Sequence, residues 1–164
     1  MSEWEFSIGE SDEWYTPIYI FEALGETFDI DVASPGNHHW VPAKKVFTKK
    51  EDGLKQEWCG FIFMNPPFGK RNGQVPWIEK FISHGNGIGI VAARTSAKWF
   101  QDLIPQCDAV LFPRGKTKFI RPNGEIGKSP GSGIVLIAVG ARGMKALKES
   151  GLGIYIEISQ EKAV

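Results

Sequence analysis

Apolar residues gather in six short runs along the chain, Phe28–Val32, Gly60–Met64, Ile88–Ala92, Ala109–Phe112, Ile134–Val139 and Ile154–Ile158. Each is rich in Ile, Val or Phe and too short for a helix, so each is predicted as a strand. Between several of them the pattern changes to helical spacing. A helix is expected over Pro17–Leu24, with Thr16 as N-cap and proline at the first helical position. A second, Pro76–Ser83, brings Trp77, Phe81 and Ile82 to one side and stops at Gly85. Ala97–Ile104 has Ser96 as its cap and Pro105 as its terminator, and Met144–Ser150 ends at Gly151. Strands alternating with helices predict an α/β fold with crossover connections and a mostly parallel sheet. The segment Phe119–Gly133 breaks the rhythm. Pro122, Asn123-Gly124, Gly127, Pro130, Gly131 and Gly133 make it a loop or loose hairpin, long enough to suggest a functional role.

Length and composition narrow the class. With 164 residues, 42% hydrophobic, including 6 Trp and 11 Phe, the chain suits one compact domain over residues 1–164. Residues 1–12 are expected as an acidic extension and 113–133 as a basic loop within the domain. No apolar run approaches the roughly 18 residues of a membrane span. Met1–Glu13 carries five acidic residues and no Lys or Arg, opposite to a secretory signal, so the expected location is the cytoplasm. Cys59 and Cys107 form no CxxC pair and are expected as reduced core thiols, with no metal site. Adjacent His38 and His39, followed by Trp40, are expected at the surface or in packing. The formal net charge of +0 argues against permanent residence on nucleic acid, yet charge is unevenly placed. From residue 114 to 128, Arg114, Lys116, Lys118, Arg121 and Lys128 face a single Glu125. Cations interleaved with Phe119 suit phosphate contact plus stacking.

The strongest chemical signal is Asn65-Pro66-Pro67-Phe68, directly after the strand pattern Phe61-Ile62-Phe63-Met64. Pro66 holds Asn65 extended, and the two prolines supply no N–H, so the ladder ends there. A rigid turn at the carboxyl end of a strand is where open α/β sheets bind ligands. It offers an amide, the Pro66 carbonyl and an aromatic face. An aromatic amine is a poor nucleophile because its lone pair is delocalised into the ring. Two acceptors, Asn65 Oδ1 and the Pro66 carbonyl, would hold the amino hydrogens and favour a pyramidal nitrogen. Phe68 would stack on a base extruded from its duplex. Acceptors aimed at developing charge act electrostatically and require no metal.

With these blocks in order, the chain resembles the phage-type DNA N-6-adenine methyltransferases of the Dam group. The resemblance spans Asp12 to Gly140. It rests on Asp12-Glu13-Trp14-Tyr15-Thr16-Pro17, Phe28-Asp29-Ile30-Asp31-Val32-Ala33, Asp52-Gly53-Leu54 followed by Trp58, and Asn65-Pro66-Pro67-Phe68. It implies a Rossmann-like methyltransferase sheet, S-adenosyl-L-methionine (SAM) as methyl donor and DNA adenine N6 as acceptor. Asn65, Pro66, Pro67 and Phe68 are then the catalytic set. Trp14, Thr16, Pro17, Asp31, Ala33, Asp52 and Asn65 are the implied cofactor residues. Asp31 closes the first strand, and Asp52 follows at a spacing suited to a nucleotide-like ligand, although Asp52-Gly53 also reads as an ordinary turn. Only Gly36 follows the first strand, so a generic glycine-rich cofactor turn is missing. Lys70, Arg71, Arg114, Lys116, Lys118 and Arg121 are the expected DNA contacts. Asn-Pro-Pro-aromatic alone also resembles methyltransferases acting on RNA or on protein amide nitrogen. A non-catalytic nucleic-acid-binding module of the same fold is the rival of another class.

Overall fold

The computed structural model describes residues 15–36, 40–68, 72–121, 125–127 and 132–159. Among the described residues, seven strands and four α-helices follow one another as α1 (Ile18–Leu24), β1 (Phe28–Asp31), β2 (Ala43–Val46), β3 (Ile62–Met64), α2 (Val75–His84), β4 (Gly87–Ala92), α3 (Lys98–Leu103), β5 (Ala109–Pro113), β6 (Ile134–Val139), α4 (Ala141–Glu149) and β7 (Gly153–Glu157). A 3₁₀ turn, Ile104–Gln106, extends α3 towards the start of β5. All six strands expected from the apolar runs are present. β2 is the addition: Ala43-Lys44-Lys45-Val46 exposes both lysines and, among the described residues, pairs only with β1. Such a guarded edge strand has no apolar run to betray it.

The strands form one sheet in the order β2-β1-β3-β4-β6-β5-β7. β2, β1, β3 and β4 pair in parallel. β6, however, is antiparallel to both β4 and β5, and β7 is antiparallel to β5. The sheet is therefore mixed, not mostly parallel, and most of its paired residues lie in the antiparallel ladders. The cause is visible in the connections. The crossover through α3 lays β5 in the direction of β4 but leaves a gap one strand wide. The chain then returns between β5 and β6, and β6 fills the gap from the opposite direction.

Period-2 alternation divides the core between the two faces of the sheet. Along β6, Ile134, Leu136 and Ala138 join Phe21 and Leu24 of α1 and Leu147 of α4. The alternate residues Val135, Ile137 and Val139 join Ile78 and Phe81 of α2 and Phe100 of α3. Every residue of β4 and β6 is buried, as helices on both faces require. Cys107 sits in this core, and burial pushes its thiol pKa up to about 12. Cys59 does not: it is exposed, which corrects the expectation of two core thiols.

The caps also differ from expectation. Pro17 occupies the N-cap position of α1 and Ala97 that of α3, neither with a side-chain cap bond. Ser96 is exposed and Thr16 is buried among other partners. Among the described residues no helix is long and apolar enough to cross a membrane.

Candidate active site

β1 and β3 are parallel neighbours with Asp31 opposite Phe63, so Asp31 and Asn65 emerge at the same edge of the sheet. Between them lies a cleft of about 310 Å³, counting space open to solvent, lined by Tyr15, Thr16, Asp31, Ala33, Trp40 and Asn65 among others. Asp31 is 1% exposed, and its Oδ1 accepts the Ala33 N–H at 3.2 Å in a tight turn leaving β1. Thr16, Asp31, Ala33 and Asn65, drawn from three separate sequence blocks, are thus brought to one cavity. Pro17 is buried beside them at the start of α1.

The hydrogen bonds explain how the amino-terminal block reaches the motif. Asn65 Nδ2 donates to Thr16 Oγ1 at 2.9 Å. The Trp40 indole N–H donates to the Thr16 carbonyl at 2.8 Å, and the Tyr15 and Trp40 rings meet at 5.1 Å. Thr16 is therefore a junction and not a helix cap: its side chain orients the Asn65 amide and its carbonyl fixes a wall of the cleft. Tyr15 also exchanges both backbone hydrogen bonds with Ile120, at 2.9 Å each. That bridge ties the segment after β5 to the rim of the site.

The turn itself places Pro66 inside, Pro67 outside and Asn65 and Phe68 half-buried. Phe68 leans edge-on against Phe119, ring centroids 5.7 Å apart. Phe119 is 0% exposed. It supports Phe68 from beneath and is not a surface platform for stacking, contrary to the sequence expectation. Alternation is the reason. Thr117 and Phe119 point inward while Lys116 and Lys118 are exposed, as are Arg114 and Arg121. Ile120 and Ile126 form an antiparallel bridge, so the segment is a hairpin where it is described. Among the described residues none of these four cations is drawn into an ion pair.

Asp52 is not brought to the cleft. It has φ 57°, accepts the Leu54 N–H at 3.2 Å and pairs with Lys55 at 3.8 Å, which is turn chemistry. Its neighbour Gly53 packs against the loop after β1, where a Cβ would run into the Val32 carbonyl oxygen. Lys80 of α2 holds this loop from the other side, its Nζ donating to the carbonyls of Leu54 at 2.8 Å, Gly53 at 3.4 Å and Gln56. Trp14, His38, His39, Lys70 and Arg71 lie outside the described residues. Among the described residues, no group of three or more His, Cys, Asp or Glu could hold a metal ion. Tyr15, part of the amino-terminal block that carries the resemblance but not among its implied cofactor residues, and Trp40 also line the cleft; an aromatic residue in a loop carries no spacing signal.

The family model for DNA N-6-adenine-methyltransferase (Dam) matches residues 6–145. The chain belongs to the Dam family. That match covers every block gathered at the cleft, from the Thr16 junction through Asp31 to the Asn-Pro-Pro-Phe turn, and runs on into α4. Membership implies DNA adenine-N6 methyltransferase activity in general terms. No curated protein matches the chain.

Proposed function

We propose that this Dam-family chain transfers a methyl group from SAM to N6 of adenine in DNA, at the cleft between Asp31 and Asn65. The observation that carries the reading is the convergence of a buried carboxylate and the Asn-Pro-Pro-Phe turn at the carboxyl ends of adjacent parallel strands. The residues present suit the donor: Asp31 offers a buried carboxylate for its cationic or hydroxyl groups, and Tyr15, Trp40, Val41 and Phe63 offer apolar and aromatic walls. When bound, SAM supplies an electrophilic methyl carried on a sulfonium.

The chain's own groups do the rest. The Thr16 hydroxyl accepts from Asn65 Nδ2 and so orients the amide at the cleft. Asn65 Oδ1 and the Pro66 carbonyl hold the two amino hydrogens and leave the nitrogen lone pair directed outward. Phe68, propped by Phe119, stacks on the flipped base. Walls of Phe63 and Trp40 limit water at the reacting centre. Asp52 has a supporting part in this reading, through the loop that Gly53 and Lys80 fix against Val32.

The test is incubation of unmethylated DNA with methyl-labelled SAM, followed by nucleoside analysis. N6-methyladenine should form, survive RNase treatment of the substrate and vanish after DNase. Label found only in RNA or in protein would overturn the assignment.

The outward row of Arg114, Lys116, Lys118 and Arg121 is proposed to meet the DNA backbone. Replacing any one with alanine should weaken binding to unrelated sequences alike. The slope of log affinity against log salt should flatten by about 0.9 for each phosphate no longer neutralised, with SAM affinity unchanged. Fluorescence titrations at several salt concentrations measure this. Parental affinity and slope in all four variants would return the segment to a solvated hairpin.

A further inference from the structure

Gln74 precedes α2 and is 4% exposed. Its Oε1 accepts the Ala92 N–H at 3.1 Å. A backbone N–H can only donate, so this bond fixes which end of the amide is oxygen. The Nε2 end is then a buried donor with no partner among the described residues. Native structures rarely leave such a group without an acceptor, so its partner is to be sought in a ligand or an ordered water.

The surroundings favour a ligand. Gln74 lines a second cleft with Phe68, Asn72, Ala92, Arg94 and Trp99. Phe68 connects this cleft to the Asn-Pro-Pro-Phe turn, on the side away from Asp31. Phe68 and Trp99 supply aromatic walls, and the cation in the lining, Arg94, is exposed at the rim. A buried neutral amide donor in a cleft also lined by two aromatic rings suits the lone pair of a planar heteroaromatic ring. A phosphate would instead call for a cation at that depth.

We propose that Gln74 reads the ring edge of the target base, its Nε2 donating to a ring nitrogen beside the amino group, N1 or N7 of adenine. The proposal rests on the reading above, in which Phe68 stacks on the flipped base. It adds selectivity to that reading. At N1, on the pairing edge, guanine and thymine would instead present an N–H, setting donor against donor and leaving Gln74 without a partner; at N7 guanine offers the same acceptor as adenine, so this selectivity belongs to a contact at N1. Sites built around a hydrogen bond discriminate strongly for this reason.

The experiment measures single-turnover methyl transfer from labelled SAM to duplexes in which every adenine is adenine, 1-deazaadenine or 7-deazaadenine. The parent protein should be slowed about tenfold or more by removal of the nitrogen that Gln74 meets. Gln74→Glu keeps an acceptor for Ala92 but replaces the donor. Its buried carboxyl should lower the unfolding midpoint, so rates are read on protein shown to be folded at the assay temperature; there it should methylate adenine more slowly, and lose or reverse the preference for adenine over that analogue. Parental rates within about twofold on all three duplexes mean that a water satisfies Gln74, and they overturn the proposal while leaving adenine methylation intact. So does a Gln74→Glu variant slowed by the same factor on all three. Absence of transfer to any adenine duplex removes the underlying function and this proposal with it.

Discussion

Asn65→Ala is expected to slow methyl transfer by about 10²–10³-fold, equivalent to roughly 3–4 kcal/mol of transition-state stabilisation, as for removal of one preorganised electrostatic group. The substitution removes the acceptor proposed to hold an amino hydrogen and the donor that engages Thr16. Two further variants separate those roles. Asn65→Asp keeps an acceptor, and the Thr16 hydroxyl can rotate to donate to it, so activity should exceed that of Asn65→Ala. Thr16→Val keeps Asn65 and removes only the group that orients it, so its loss should be smaller still. Single-turnover kinetics at saturating SAM and DNA isolate the chemical step from binding. This matters because Asn65 also lines the cleft that holds Asp31. Parental turnover in Asn65→Ala would show that the amine is activated elsewhere, and family membership would be unaffected.

Legibility in the sequence follows the strength of the local signal. Strands such as Ile134–Val139 are buried on both faces, and their unbroken apolar runs announce them. β2 owes its existence to pairing with β1, a tertiary fact that Lys44 and Lys45 conceal. Strand direction is hidden at β6, since an apolar run has no polarity. The glycine- and proline-rich stretch after β5 is the available clue, and the same residues read equally well as a substrate loop. Within the site, Asn65, Asp31 and Thr16 stand out through motif and resemblance, and they do share a cavity. Their dependence on Trp40 is invisible, because a bond spanning 24 residues leaves no periodicity to detect. Asp52 is ambiguous in another way. Its spacing suits a cofactor, but Asp-Gly is equally a turn, and its Oδ1 accepts the Leu54 N–H within that turn. Gln74 carries no sequence signal, since a lone glutamine before a helix is ordinary until its burial is known.

The hairpin after β5 joins stability to substrate handling through Phe119. This ring lies in a segment full of glycine, proline and lysine, yet it is fully buried in the core cluster shared with Phe21 and Phe63. Phe119→Ala is expected to cost about 3–5 kcal/mol of folding stability, the usual range for deleting a buried aromatic side chain. Phe68→Ala should cost much less stability because Phe68 is only half-buried. It should instead raise the apparent DNA Michaelis constant, since losing one base-stacking ring costs about 1–3 kcal/mol. Phe119→Leu retains most of the volume and provides a folded protein in which the 5.7 Å edge contact to Phe68 is weakened. If the buried ring positions the stacking ring, Phe119→Leu should also raise the DNA Michaelis constant, and the double variant with Phe68→Ala should add little to Phe68→Ala alone. Urea unfolding and steady-state kinetics on the four proteins complete this cycle. Additive effects on the Michaelis constant would confine Phe119 to the core, and a parental unfolding midpoint in Phe119→Ala would contradict its burial outright.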